Sequence, residues 1–393
     1  MTTASAAEHL VVEAARQLVA DHPPDTTGTA DFLGARFDAG LAWVHFPRGS
    51  GGLGVAAGLQ GAVDAIVTQA GGPDPFALNP MGYGMAGPTL MAHADAALQR
   101  RLLRPLYTCE EIWCQLFSEP GAGSDLAGLA TRAVREGDGW RVTGQKVWTS
   151  KAHQARWALL LARTDPDVPK HRGLTYFVLD MRDPGVEVRP LRQLTGDSEF
   201  NEVWLRDAHV PDTRRLGDVG AGWRVAMTTL MNERTAIGGG SIARGTGAIG
   251  DALTLWRDRP DLRDAGLRDR LVSLFARADA LRLTGMRHAA ERGEAPAGPL
   301  GSLGKLAGAE LNQSVYEFCV DLLGAEGTRF PGYEGDDPGV QDSVGWKFLR
   351  SRANTIEGGT SEILRSILAE RVLGLPGDLR VDKDRPWREV PRG

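Results

Sequence analysis

Apolar positions along this chain change their period twice. Near the start, Leu10, Ala14 and Leu18 recur at the spacing of one helical face, and stretches 56–70 and 94–107 read as further helices with Gly and Pro punctuation. From about residue 115 the period shortens to strand-like runs: Arg141–Ser150, Trp157–Arg163, Leu174–Asp180, Val186–Val188 and Glu202–Leu205. Turn clusters such as Glu136-Gly137-Asp138-Gly139 and Arg182-Asp183-Pro184-Gly185 separate them. Beyond Gly222 helical stripes return. Leu271, Leu274, Phe275 and Ala278 share one face, as do Ile363, Leu364, Ile367 and Leu368. Helices, then strands, then helices predict an α+β chain. The divisions fall at 1–114 (helical), 115–218 (β), 219–376 (helical) and 377–393, a polar, Pro-containing tail expected to be loose.

Composition narrows the function. With 393 residues, 42% apolar and 24% charged, the chain is an ordinary globular protein with room for several packed layers. A net charge of -5 provides no basic field for nucleic acid or an anionic membrane. The three cysteines form no C-x-x-C pair, which argues for a reducing compartment and gives no zinc signature, so no metal is expected. No apolar run is long enough to span a membrane, and Glu8 and Glu13 break any signal-peptide pattern; the expected location is cytoplasmic.

Gly49-Ser50-Gly51-Gly52-Leu53-Gly54 matches a dinucleotide fingerprint, with Asp74 at the distance of a ribose-binding acid. That motif needs a strand before it and a βαβ series around it. Leu41–Phe46 ends in Pro47-Arg48 and no parallel strand follows before residue 115, so a Gly-rich turn is expected.

Three segments carry candidate chemistry. In Gln115–Asp125 an apolar strand end runs into Ser118-Glu119-Pro120-Gly121-Ala122-Gly123-Ser124-Asp125, a loop whose backbone can approach an anion closely. Gly144–Ser150 carries Trp148, a flat surface suited to a flat cofactor. Ile356–Ile363 runs a Gly-Gly loop into a helix start, a place for an anion or a developing oxyanion; a plain helix cap reads equally well from this segment alone.

Together these segments closely resemble the acyl-CoA dehydrogenase signatures T-E-P-x-A-G-S-D, G-x-K-x-W-I-T/S and E-G-T-x-E-I, with Ser118 for the more usual Thr. Similarity extends from Trp43, Pro47 and Gly51–Gly54 to Glu370–Pro376. The resemblance implies an N-terminal helical domain, a middle β-barrel and a C-terminal four-helix bundle. It further implies FAD, an acyl-CoA substrate, an electron-transfer flavoprotein as acceptor, and a tetramer or dimer. The flavin would lie along Leu116, Phe117 and Ser118, against Trp148 and Ser150, near Thr360 and Glu362. Gly123 and Ser124 would reach its pyrophosphate or the CoA arm. Asp321–Gly327 resembles the Q-x-x-G-G-x-G loop that meets FAD of a neighbouring subunit; Gly324 is retained, while Asp321 and Ala325 depart from it. Trp256-Arg257-Asp258-Arg259-Pro260 stands where many members carry R-x-x-F-G. Both departures keep open a heteromer with a sister chain, or a silent partner subunit. An acyl-CoA oxidase and a flavin monooxygenase share the same architecture and compete with the dehydrogenase reading.

The reaction needs a base for the α-proton. In many members it is the Glu of E-G-T, but alignment on Thr360 puts Gly358 there and Glu357 one residue early. In the isovaleryl and long-chain types it lies on the first helix after the β domain, where this chain has Leu230-Met231-Asn232-Glu233-Arg234. Helical spacing also places Glu233 on a stripe with Ala226, Leu230, Ile237 and Gly240, where burial would raise its pKa toward a useful base. Glu233 is therefore the expected base, Glu357 the reserve, the Gly358 N–H a candidate for the thioester carbonyl, and Arg234 one for the CoA phosphates. A Glu233 that merely pairs with a nearby Arg is the bland competing possibility.

Overall fold

The computed structural model describes residues 3–238, 243–292, 299, 301–330, 332, 338–379 and 382–391. Two compact units emerge: Met1–Pro190 with Phe200–Asn232 and Val381–Gly393, and Leu191–Glu199 with Glu233–Arg380.

In the first unit, helices Thr3–Asp21, Thr29–Asp38, Gln60–Gln69 and Ala96–Tyr107 precede a sheet. The last of these starts at Asp95, whose side chain accepts from Leu98 N at 2.8 Å, and buries Leu102, Leu103, Leu106 and Tyr107 on one face. The glycine cluster 49–54 is a turn, with Gly49, Gly51 and Gly54 at positive φ, and the first strand comes only at residue 113. A Cβ on Gly52 would stand 2.0 Å from Phe46 O, so packing of the turn on itself requires that glycine.

The strands are β1 Trp113–Leu116, β2 Arg132–Glu136, β3 Gly139–Ser150, β4 Trp157–Arg163, β5 Leu174–Asp180, β6 Val186–Pro190, β7 Phe200–Pro211 and β8 Arg215–Leu216. Their order is β6-β7-β3-β2-β4-β5-β8, with β1 parallel to β4 off that path. β2 meets β4 at one pair, Arg132 with Arg163, so two half-sheets result. Val142, Val203 and Leu205 from one half and Leu160, Phe177 and Leu179 from the other fill a shared core. Trp140 lies against Phe177 with ring centroids 5.4 Å apart. The alternate residues of β4, Trp157, Leu159 and Leu161, face the core shared with the helices. Burial on both faces explains why β4 reads as an unbroken apolar run. β2, which the pattern did not predict, turns only Ala133 inward.

The tail differs from expectation. Trp387 is buried: its indole N–H donates to Gly128 O at 3.0 Å and its ring lies 4.2 Å under the Arg163 guanidinium. Lys170 donates to Asp382. One large aromatic with a satisfied N–H holds a segment whose composition reads as loose. Trp387→Ala is expected to destabilise this unit by about 3 kcal/mol; an unchanged urea midpoint would show that the anchor is dispensable.

The second unit is helical. Ala248–Asp258, Ala265–Arg292, Gly301–Leu323, Val344–Ser351 and Ser361–Arg371 supply most of it. Ile249, Leu271, Leu274, Val315, Phe318 and Leu322 form its core, with Phe275 and Ala278 packed against it as the stripe predicts. Helix Gly222–Gly238 passes from one unit into the other between Asn232 and Glu233. Among the described residues no helix is long and apolar enough to cross a membrane.

Candidate active site

Two signature segments, Gln115–Asp125 and Gly144–Ser150, are tied to each other inside the first unit. Val147 N donates to Ser118 O at 2.9 Å. Lys146, wholly buried, donates to Phe117 O and to Glu119 Oε1, both at 2.9 Å. Glu119 also accepts from Ala130 N at 2.7 Å and Thr131 N at 2.9 Å. Burial alone would raise the Glu119 carboxyl, but the Lys146 ammonium and these donors hold it below the usual carboxylate range. Burial pulls Lys146 down in turn, only partly offset by Glu119. Beyond Glu119 the chain folds back at once, Glu119 N donating to Ala122 O at 3.1 Å and Ala122 N to Glu119 O at 3.0 Å, and Gly121, Gly123 and Ser124 are exposed.

Leu116 and Phe117 point into the two cores, so only their main chain could meet a ligand; Ser118 and Ser150 are half-buried. Trp148 is turned outward and 61% exposed. The register of β3 against β7 breaks between Lys146 and Thr149, and Trp148 sits in that bulge with φ 60°. A left-handed conformation costs an L-residue about 1–2 kcal/mol, and a bulge re-aims a side chain. Here the bulge turns the indole outward, edge-on to Phe200 at 6.1 Å. Next to it the Thr149 hydroxyl is buried without a protein partner among the described residues. A separate open cleft of about 500 Å³, walled by Leu78, Cys109, Ile112, Lys151 and Gln154, contains none of the signature side chains.

Helix Gly222–Gly238 is anchored by buried hydroxyls. Thr229 Oγ1 meets Thr89 Oγ1 at 2.9 Å and the Tyr176 hydroxyl at 2.8 Å, and Val225 and Ala226 are fully buried. Glu233 follows Thr229 by four residues and so continues its face; it is half-buried. The side chains of Arg234 and Ile237, and Gly240 altogether, lie outside the described residues.

In the second unit the Glu357 carboxylate is engaged by Arg350 through two bonds of 3.1 Å and by Asn354 Nδ2 at 2.9 Å. Gly358 and Gly359 follow with φ 62° and 97°. Thr360 is the N-cap of helix Ser361–Arg371, accepting from Ile363 N at 3.2 Å. Exposed Glu362 is held below the usual carboxylate range by its own backbone N–H and the Thr360 hydroxyl. Capping thus accounts for Thr360 and Glu362 locally. Lys305, which the sequence pattern does not single out, donates to Gly359 O at 2.6 Å and Asn354 O at 2.8 Å. Burial lowers its pKa, against the attraction of the Glu357 and Glu233 carboxylates.

In the Asp321–Gly327 loop, Asp321 is paired with Arg270 at 2.8 Å, and Gly324 is exposed at φ 56°. Arg259 bridges Glu326 at 2.7 Å and Asp261 at 3.1 Å, which pins the loop to the segment standing in place of R-x-x-F-G.

Comparison with known proteins agrees with these motifs. Residues 114–207 match the family model of the acyl-CoA dehydrogenase middle domain, and residues 220–373 that of its C-terminal domain. Over 345 residues the chain is 38% identical to acyl-CoA dehydrogenase IpdE1 of Mycobacterium tuberculosis (strain ATCC 25618 / H37Rv), covering 87% of this chain and 86% of that protein. It is 45% identical over 295 residues to acyl-CoA dehydrogenase FadE34 of the same strain; this covers 74% of the chain, which spans only 39% of that relative's length. A solved structure described as Tcur3481-Tcur3483 steroid ACAD aligns with TM-score 0.73 at 27% identity, over 95% of this chain and 98% of that one. The bulge that presents Trp148 and the loop that presents Gly358 fall within the two matched domains, and a relative aligned over most of both lengths carries the same name: the chain belongs to the acyl-CoA dehydrogenase family.

Proposed function

We propose that this chain catalyses α,β-dehydrogenation of an acyl-CoA thioester to the trans-2-enoyl-CoA in the cytoplasm, with FAD as cofactor and an electron-transfer flavoprotein as electron acceptor. The observation that carries the reading is the tie between the two signature segments, Val147 N on Ser118 O and Lys146 on Phe117 O and Glu119, which joins the segment of outward-turned Trp148 to that of the exposed 121–124 loop. The first unit fits a flavin: an outward Trp148 held in a strained bulge, an orphaned Thr149 hydroxyl and an exposed Gly-Ser loop are the flat surface, polar atom and anion cradle it needs. Bound FAD supplies the hydride acceptor.

The protein's own part is proton chemistry. Glu233 takes the α-proton; the electron pair of that C–H bond becomes the new C=C as the β-hydrogen leaves as hydride. Charge developing on the thioester oxygen is met by the Gly358 N–H. Glu357 is the reserve base candidate; both its oxygens serve Arg350 and one also serves Asn354. The steroid in the description of the 27%-identical structure suggests bulky alicyclic acyl groups as the first to try. Anaerobic bleaching of the bound flavin across an acyl-CoA panel tests the proposal. Absence of bleaching with every thioester, or fast reoxidation of reduced enzyme by air with product bound, overturns it.

A second reading is favoured by the pinned loop. With Arg259 spent on Glu326 and Asp261, and Asp321 on Arg270, Arg259 is a poor replacement for the arginine of R-x-x-F-G. The chain is then expected to bind FAD weakly as a homo-oligomer and to fill its site with a sister chain. The flavin-to-protein absorbance ratio checks this: tight occupancy of one FAD per chain in a homo-oligomer removes the need for a partner.

A further inference from the structure

Loop 120–124 of the first signature segment is gripped at both ends by a lysine. Glu119, just before it, accepts from wholly buried Lys146 at 2.9 Å. Asp125, just after it, accepts two bonds from Lys170 Nζ, 2.8 Å to Oδ1 and 2.9 Å to Oδ2. Between the grips Pro120, Gly121, Gly123 and Ser124 are exposed, and only Ala122 is tucked in. Two glycines leave this loop little stiffness of its own, so its shape depends on its ends. The second grip draws on distant parts of the chain. Lys170 is buried and donates also to Asp382, in the segment 382–391. Trp387 N donates to Val168 O at 2.9 Å and Arg163 Nη1 to Lys170 O at 3.2 Å, which fixes the backbone that carries the lysine. A cation is needed at this point, because it stands between two carboxylates that an amide could not neutralise. Burial alone would pull the ammonium down, yet its bonds to Asp125 and Asp382 hold it above the ordinary lysine value. The Asp125 side chain is 60% exposed and adjoins Ser124. A carboxylate in that place repels any anion the loop takes.

We propose that Lys170 is a positioning residue of loop 120–124: it uses the Asp125 carboxylate as a handle and so holds the loop's main chain in the shape that takes a phosphate, of the flavin dinucleotide or of the acyl-CoA. The segment 382–391 seats the lysine through Asp382 and Trp387, so the far end of the chain takes part in shaping the loop. The proposal rests on the flavin and acyl-CoA reading given above.

Two titrations test it: FAD into the apoprotein, read by flavin fluorescence, and free CoA into the FAD-loaded protein, read by the flavin spectrum. In K170Q at least one of the two dissociation constants is expected to rise about tenfold, and the one that responds names the phosphate. K170R, which keeps the charge, is expected to recover most of the loss. D125N decides between handle and plain charge. It removes a negative charge beside the ligand and leaves Lys170 its bond to Asp382, so a carboxylate acting only by repulsion predicts tighter binding. Positioning predicts the opposite, a rise of about tenfold, with K170Q/D125N no weaker than either single variant. Parent-like constants for both ligands in K170Q overturn the proposal. So do parent-like or tighter binding in D125N, and additive losses in the double variant. Should K170Q fail to fold, D125N decides alone. A parent chain that binds neither ligand removes the flavin reading itself, and the proposal with it.

Discussion

Replacing Glu233 by Gln is expected to slow anaerobic flavin bleaching by about 10²–10⁴ while leaving folding and FAD content intact. The amide keeps the size of the side chain and removes the oxygen that accepts a proton. The helix bearing it is fixed upstream by Thr229, Val225 and Ala226, none of which the substitution touches. Acyl-CoA should still bind and perturb the flavin spectrum. Glu357→Gln should behave differently: it breaks a charged pair with Arg350, lowering stability by about 1.5–3 kcal/mol, yet should leave bleaching within about tenfold of the parent. Both variants belong in one single-turnover experiment with the same substrate. A dead Glu357→Gln beside a normal Glu233→Gln would reverse the assignment.

The second large effect concerns the Lys146–Glu119 pair. Glu119→Gln leaves an ammonium wholly buried opposite a neutral amide, a change expected to destabilise by about 3–5 kcal/mol. Lys146→Met should cost less, since Glu119 retains the Ala130 and Thr131 amides. The double variant should recover part of the loss, so the four proteins form a cycle with coupling above about 1 kcal/mol. Urea midpoints measure it, and additive losses would show that the pair does not tie the segments. The pair also has a pH signature. Glu119 is depressed when folded, so its contribution is complete above the unfolded carboxyl near 4.5 and disappears as pH falls through the lower folded value. FAD content should fall with stability in Glu119→Gln, because Phe117, Ser118 and Trp148 lose the clamp between their segments.

The candidate site was legible where residue type and order carry it. Trp148, the Gly-rich loop and Gly358–Gly359 stand where a linear pattern can find them. What the pattern missed is what acts across distance. Lys146 is inside a signature segment, but nothing in the sequence says that its charge is wholly buried against Glu119, 27 residues earlier. Lys305 lies outside every signature segment, and its partners come 49 and 54 residues later. Leu116 and Phe117 send their side chains into opposite cores by strand alternation, so a flavin along this stretch would meet their main chain. The strands at 157–163 and 174–180 were read from their apolar runs, while β2 escaped because a strand with one inward residue has no alternation to detect.

Trp387 docks on Gly128, 259 residues earlier in the chain. At a synthesis rate of about 5–20 residues per second, the slot beside Arg163 waits on the order of 10–50 s for its indole. Arg163 meanwhile has its own carbonyl acceptors at Leu129, Ala127 and Lys170, so the strand is bonded before the ring arrives. Of the two units, the one that starts to emerge earlier is therefore completed later, after residues 233–380.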